Sequence, residues 1–330
     1  MDQTPDAVPS PAAPGDGSAR PGWRSLRVAV GAVWIATVLV VLVARWDALL
    51  HGHPAHPLLL LAVLLAGVAL VVAGVRGAVR QRAPGRLRVA GRVVGGLLAL
   101  VLVAVLVYLV PLPASPDAVA SLTGSPSVRV TDSTTTITLT PVGEPARAGL
   151  VFQPGAKVDP RAYVPLLTRV SEAGFLVVVV KQPLNIGFLA TGAPASVIAD
   201  HPEVGAWAVG GHSLGGVAAG SFAGRSPTPV DGMLLWASYP LGSLADRDLV
   251  VASVSGTADG LSTPADIDES RALLPGSTTF VAVEGGVHAF FGDYGEQSGD
   301  GTPTVSRARA QDEIVAGSVD LMDAVATDGR

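Results

Sequence analysis

"AVGGHSLGGVAAG", residues 208–220, contains one Gly-x-Ser-x-Gly, centred on Ser213. Glycine fills 39 of the 330 positions, so this pattern arises by chance roughly one time in three and carries little weight alone. Its neighbours decide it. "GAWAVGG" (205–211) reads as a buried strand and "LGGVAAGSFAGR" (214–225) as a helix. A strand that turns into a helix across one residue needs glycine on both sides, because side chains there would collide. The same turn pushes the serine hydroxyl out above the sheet edge. Ser213 therefore reads as a nucleophile at the carboxyl end of a strand.

The surrounding sequence supplies the sheet. "SVRVT" and "TTTITLTP" alternate around Asp132 and Ser133, which predicts an antiparallel hairpin. Apolar runs suited to buried parallel strands follow: "AGLVFQ", "FLVVVVK", "GAWAVGG", "DGMLLWAS", "DLVVASVSG" and "TTFVAVEG". Helical stretches lie between several of them, among them "PLLTRVSEAG", expected to begin at Pro165 rather than Pro160. An amphipathic helix is expected from about 306 to 325. Strands alternating with helices predict a doubly wound α/β domain over residues 126–330.

A serine nucleophile needs a base, and this domain contains three histidines. His212 adjoins the serine, so its ring should point away from the hydroxyl. His201 lies upstream, before Pro202. His288, in "EGGVHAFFGDYG" directly after the last strand-like run, is the expected base. A carboxylate must orient that imidazole and stabilise its charged form. Asp259 in "SGTADG" follows a strand-like run and takes that role, against the plainer reading of a turn aspartate before Gly260. Asp266, Asp268 and Glu269 fall in the next helix, and Glu284 ends a strand. Two amides are expected to hold an oxyanion: that of Leu214, next to the nucleophile, and that of Ala156 in "FQPGAK", where Gly155 lets the backbone approach closely.

On "FQPGAKVDPRAYVPL", "VVVVKQPLNIGFL", "GGHSLGG", "GTADGLSTPADI" and "GGVHAFFGDYGEQSGDG", the region from about 126 to 326 resembles an alpha/beta-hydrolase. Within that superfamily it is similar to the bacterial fold-five group of serine hydrolases. The resemblance implies an alpha/beta-hydrolase fold, a mostly parallel sheet with helices on both faces. It also implies a Ser213–His288–Asp259 triad in the chain order Ser, Asp, His, and esterase- or lipase-like action with no cofactor and no metal. The sequence departs from many esterases at Gln153, where they carry His before the oxyanion glycine.

The first part of the chain follows different physics. Mean hydropathy is +0.47 and only 15% of residues are charged, too apolar for an ordinary soluble protein. Residues 1–24 combine Pro, Ala, Gly and Asp without periodicity and read as a disordered tail. Three apolar runs, about 28–44, 58–75 and 93–112, approach the ~20 helical residues needed to cross a hydrocarbon core, and Trp23 and Trp46 flank the first. They define a membrane region over 25–112, joined to the α/β domain by a Pro-rich linker, 113–125. Residues 1–112 hold 10 Arg against 4 Asp, a net +6, while 113–330 hold 12 Lys and Arg against 23 Asp and Glu, a net −11. The acidic part has no footprint for nucleic acid. Six of the arginines lie between the second and third runs, and Arg20, Arg24 and Arg27 precede the first. The positive-inside bias places the N-terminus in the cytoplasm of a multi-pass plasma-membrane protein and everything after Pro113 outside it.

The chain contains no cysteine, which excludes disulfides, thiolate metal sites and a Cys nucleophile. His51, His53 and His56 in "HGHPAH" read as a wet interhelical loop rather than a metal site. Lys157 and Lys181, the only lysines, follow strand-like runs on the rim where Ser213 emerges, and structural pairing is preferred to substrate recognition. The short "LLWAS"-to-"DLVVAS" connection leaves no room for a large cap, so "QPLNIGFLATGAPASVIADHPEVG" or "GDYGEQSGDGTPT" should wall the site. The favoured reading is a membrane-anchored serine hydrolase acting on a small-molecule ester, lipid-derived esters included. The alternative is a non-catalytic hydrolase-fold domain that binds or senses a ligand for its membrane helices.

Overall fold

The computed structural model describes residues 23–76 and 85–328. Residues 1–22 of the N-terminal tail, and Arg80 and Arg82 of the arginine-rich loop, lie outside them. Three helices come first: α1 (Trp23–His51), α2 (Ala55–Arg76) and α3 (Arg86–Tyr108). Their Leu, Val and Ala runs contain no proline beyond the first turn and are apolar on all sides, so they suit lipid rather than water. Each is long and apolar enough to cross a membrane, over Leu26–His51, Ala55–Arg76 and Val89–Tyr108. Where α1 crosses α2, a Cβ on Gly31 would stand 2.5 Å from the Gly67 carbonyl oxygen, so the two backbones meet only because both residues are glycine.

The helices begin earlier than the sequence expectation, α1 at Trp23 within the expected tail, α2 at Ala55 and α3 at Arg86, and two of their ends differ as well. Helix α1 continues beyond residue 44 through a kink at Arg45 (φ −139°, ψ 24°), whose Nε donates to the Pro111 carbonyl at 3.0 Å. Helix α3 ends at Tyr108, four residues before the expected end, because the chain is drawn into the next domain. There Leu112 bridges Val158 in parallel, its N–H donating to the Lys157 carbonyl at 2.8 Å. The three loop histidines form no ligand set: among the described residues no group of three or more His, Asp or Glu is placed to hold a metal.

Residues 113–125 also hold structure. Ser115 caps a short helix, α4 (Pro116–Ala120), its Oγ accepting from the Ala118 N–H at 3.1 Å, and Ala118 is fully buried. The hairpin follows as β1 (Val128–Asp132) and β2 (Thr136–Pro141), and then come β3 (Gly149–Gln153), α5 (Val164–Glu172), β4 (Leu176–Val180) and α6 (Ala193–Asp200). Next are β5 (Trp207–His212), α7 (Leu214–Arg225), β6 (Gly232–Trp236), β7 (Val250–Gly256), α8 (Pro264–Ser270), β8 (Thr279–Val283) and α9 (Arg307–Asp328). The α5 boundary fits its sequence: a 3-10 turn, 160–163, precedes it, and Pro165 sits in its first turn, where no amide donor is needed.

The eight strands form one sheet in the order β1-β2-β4-β3-β5-β6-β7-β8. The pairs β1/β2 and β2/β4 are antiparallel, and every other pair is parallel. Strand periodicity divides the core in two. Leu150, Phe152, Val177 and Val179 face α5 and α9, whereas Val151, Val178, Val180 and Val209 face α6 and α7. With both faces covered, β3–β6 are buried at every position, which is why they appear in the sequence as unbroken apolar runs. Parallel strands align their carboxyl ends along one edge, and the loops leaving β3, β5, β7 and β8 there carry Ala156, Ser213, Asp259 and His288.

Candidate active site

Ser213 occupies the single residue between β5 and α7, at φ 52° and ψ −126°, a backbone conformation costly for any residue with a Cβ. Four bonds hold it there. Its N–H donates to the Trp236 carbonyl at 2.9 Å, and its own carbonyl accepts from the Gly216 and Val217 amides and from Ser238 Oγ at 2.7 Å. The flanking glycines are required by space: a Cβ on Gly215 would run into the carbonyl oxygens of Gln153 and Pro154, and one on Gly216 would meet Ser238 Oγ at 2.5 Å. The first turn of α7 is thus pressed against the loop leaving β3, which carries Ala156. Among the described residues, neither the Leu214 nor the Ala156 amide is used in a hydrogen bond within the protein, so both donors are free.

Asp259 and His288 are brought together across 29 residues. Asp259 Oδ2 accepts from His288 Nδ1 at 2.8 Å, with both side chains buried. Asp259 Oδ1 accepts from the Leu261 and Ser262 amides at 2.7 and 2.8 Å, so the carboxylate keeps one oxygen for the turn and one for the imidazole. A histidine that donates through Nδ1 exposes Nε2 as its basic atom, and His288 Nε2 is buried without a partner. No hydrogen bond links it to Ser213 Oγ here. The two residues are neighbours through His212, whose ring centroid lies 4.5 Å from that of His288.

His212 is fully buried. Its Nδ1 accepts from the Tyr163 hydroxyl at 2.9 Å, and that oxygen accepts in turn from the Gly155 N–H at 2.9 Å. The chain of bonds fixes the residue before Ser213 to the residue before Ala156. Burial, and then the neighbouring His288, hold the His212 pKa well below the ordinary histidine value, so it is neutral and serves as an acceptor. Burial raises the Tyr163 phenol for the same reason and keeps it a donor. A second support, Asp300, accepts from the His288 amide at 3.1 Å and the Ala289 amide at 2.8 Å, and its Oδ1 also accepts from the Gly260 amide at 3.3 Å. One carboxylate therefore ties the loop of Asp259 to the loop of His288.

The remaining sequence candidates are occupied elsewhere. His201 pairs with Glu203, Asp266 closes the capping box of α8 with Thr263, and Asp268 pairs with Arg271. Lys181 is buried in an ion pair with Asp132, and the Lys157 ammonium lies 4.6 Å from the centre of the Tyr108 ring. Gln153 is buried, its Oε1 accepting from Gln182 Nε2 at 3.3 Å. Tyr163 and Asp300 were not anticipated. Their partners are 49 and 12 residues away, and an isolated Tyr or a loop Asp carries no local signature of such a bond.

Solved structures similar to this chain include a predicted CIB-like hydrolase of Thermoplasma acidophilum, at 16% identity and a TM-score of 0.45, covering 59% of this chain and 96% of that one. A monoacylglycerol lipase of Paleococcus ferrophilus (15%, 0.43, 58% and 99%) and the esterase domain of a Rhodothermus marinus protein (14%, 0.41, 57% and 92%) are similar to a comparable extent. No curated protein sequence matches the chain. The model of the alpha/beta hydrolase family matches residues 149–312. That stretch contains Ser213, the Asp259–His288 pair and both free amides, and by it this region of the chain belongs to the alpha/beta hydrolase family.

Proposed function

We propose that the protein is a membrane-anchored serine hydrolase that cleaves carboxylic esters through an acyl-enzyme. The observation that carries this reading is the buried Asp259–His288 pair, whose Nε2 is left without a partner on the same sheet edge that carries Ser213 in a strained strand-to-helix turn. Ser213 Oγ attacks the ester carbonyl as its proton passes to His288 Nε2. The oxyanion is received by the Leu214 and Ala156 amides. Collapse expels the alcohol, which takes the proton from His288, and water then releases the acid by the same steps in reverse. Asp259 holds the imidazole in the tautomer this sequence needs, and no metal or organic cofactor takes part.

Labelling tests the reading. A fluorophosphonate probe should modify Ser213 in the folded chain and give no adduct with Ser213→Ala. A folded wild-type chain that binds esters without labelling would be the non-catalytic sensing domain instead.

In this reading the N-terminus is cytoplasmic and the hydrolase domain lies outside the plasma membrane, a topology supported by the three apolar helices. The six arginines of residues 76–92 support that orientation. In this cysteine-free background, Gly85→Cys should react with an impermeant maleimide only after cell lysis. Reaction in intact cells would reverse the topology.

A further inference from the structure

The carboxyl edge of the sheet, which carries the candidate site, is also the edge on which the apolar helices end. Arg161, in the turn after β3, donates to Asp47 of α1 at 2.6 Å. Lys157 of the same loop stacks on Tyr108 at the end of α3, and residues 183–185 after β4 pack against α2. Only residues 109–111 separate α3 from the Leu112–Val158 bridge. The domain is therefore seated on its spans without a free tether, with the site edge turned toward them.

That edge is also where the domain leaves large apolar side chains in the open. Beyond residue 112, five are exposed: Val142 (51%), Phe188 (42%), Leu189 (54%), Leu241 (68%) and Leu261 (37%). Four of them lie on the loops after β4, β6 and β7, on the sheet edge that carries Ser213. The fifth, Val142, follows β2, which runs antiparallel to β4 and ends beside the start of that strand, so it marks the opposite edge. Scattered surface apolar residues need no explanation, but four of five gathered on the edge that meets three membrane spans do. The loop with Phe188 and Leu189 also reaches the site itself: a Cβ on Gly187 would contact the Ala218 side chain at 3.0 Å and the Leu214 carbonyl at 3.4 Å.

We infer that Phe188, Leu189, Leu241 and Leu261 form an apolar rim that sits in the headgroup and upper acyl region of the bilayer, so that the substrate is an acyl ester drawn directly from the membrane. This rests on the hydrolase reading and adds the substrate class. The rim keeps an acyl chain in an apolar environment between the bilayer and the serine, whereas a soluble short-chain ester gains nothing from it.

The test uses the full chain in phosphatidylcholine nanodiscs. The triple variant Phe188→Ser, Leu189→Ser, Leu241→Ser should lose about tenfold or more in rate on a long-chain diacylglycerol dispersed in the disc, a loss set by the apolar surface removed. On soluble p-nitrophenyl acetate the same variant should lose much less, so that the ratio of the two rates falls by about fivefold or more. Equal loss on both esters, or on neither, overturns the rim. Absence of labelling and of acetate hydrolysis in the wild type instead overturns the hydrolase reading beneath it.

A second measurement needs no turnover. An environment-sensitive dye attached through Phe188→Cys or Leu241→Cys should be quenched by doxyl-labelled lipid, and the same dye through Val142→Cys should not. No quenching at 188 and 241 removes the proposal whatever the activities are.

Discussion

Ser213→Ala and His288→Ala should each lower kcat on a carboxylic ester by about 10^5- to 10^6-fold, and the double variant should be no worse than either alone, because in the proposed mechanism the nucleophile and its base act as one unit. Asp259→Asn costs less, on the order of 10^4-fold, with KM nearly unchanged. The asparagine keeps the volume of the carboxylate and can still accept from the Leu261 and Ser262 amides, so the turn survives. What it loses is the negative oxygen opposite His288 Nδ1. An amide nitrogen in that place favours the tautomer with its proton on Nε2, which cannot take the serine proton, and leaves the developing imidazolium without a counter-charge. Steady-state kinetics on the purified chain measure all four variants. Multiplying losses in the double variant, or an Asp259→Asn effect below tenfold, would mean that the three side chains do not work together. Fluorophosphonate labelling should follow the same order, being lost with Ser213→Ala and strongly slowed with Asp259→Asn.

The parts of this site that were legible in the sequence are those encoded locally. A strand run, a glycine on each side of Ser213 and a helix run specify the elbow, because its steric demands fall on adjacent residues. Asp259 and His288 were legible by position: each follows an apolar run that reads as a parallel strand, although β8 at the sheet edge is only partly buried, and parallel strands bring such ends to one edge. Even the start of α5 could be placed, since proline is tolerated only in a first turn. The supports were not legible. Tyr163 serves His212 and Gly155 through a bond that closes only when β3, β5 and the turn after β3 are packed. Asp300 lies in a Gly- and Asp-rich loop whose composition indicates a turn and gives no sign of the amides it collects from two other loops. The third span showed the opposite failure. Its hydropathy continues to Leu112, yet the helix stops at Tyr108 because Leu112 pairs with Val158, and apolar composition cannot distinguish lipid from a folded domain as the partner.

The seating of the domain on its spans depends most on one side chain that hydropathy would not mark. Arg161 is 1% exposed, donating through Nε and Nη2 to Asp159 and through Nη2 to Asp47 of α1. Asp159 is equally buried and accepts from the Arg161 amide, which a change of side chain leaves in place. Arg161→Met therefore removes the cation and leaves a buried carboxylate without a counter-charge, a loss of about 3–5 kcal/mol where one partner of a buried pair is taken away. For a domain of this size that lowers Tm by about 10 °C, read by thermal unfolding of the full chain in detergent. Arg161→Lys should recover little, because a single ammonium cannot reach the oxygens that the planar fork meets together. Arg161→Met combined with Asp159→Asn should be more stable than Arg161→Met alone: the amide oxygen can still accept from the Arg161 N–H, and no unpaired charge stays buried. Asp47→Asn leaves the Arg161–Asp159 pair intact and loses only the tie to α1, so Tm should move by less than about 3 °C, since Asp47 is largely in solvent. If Arg161→Met shifted Tm no further than Asp47→Asn, the buried pair would be incidental, and the domain would be seated on its spans by the Leu112–Val158 bridge and the Lys157–Tyr108 contact instead.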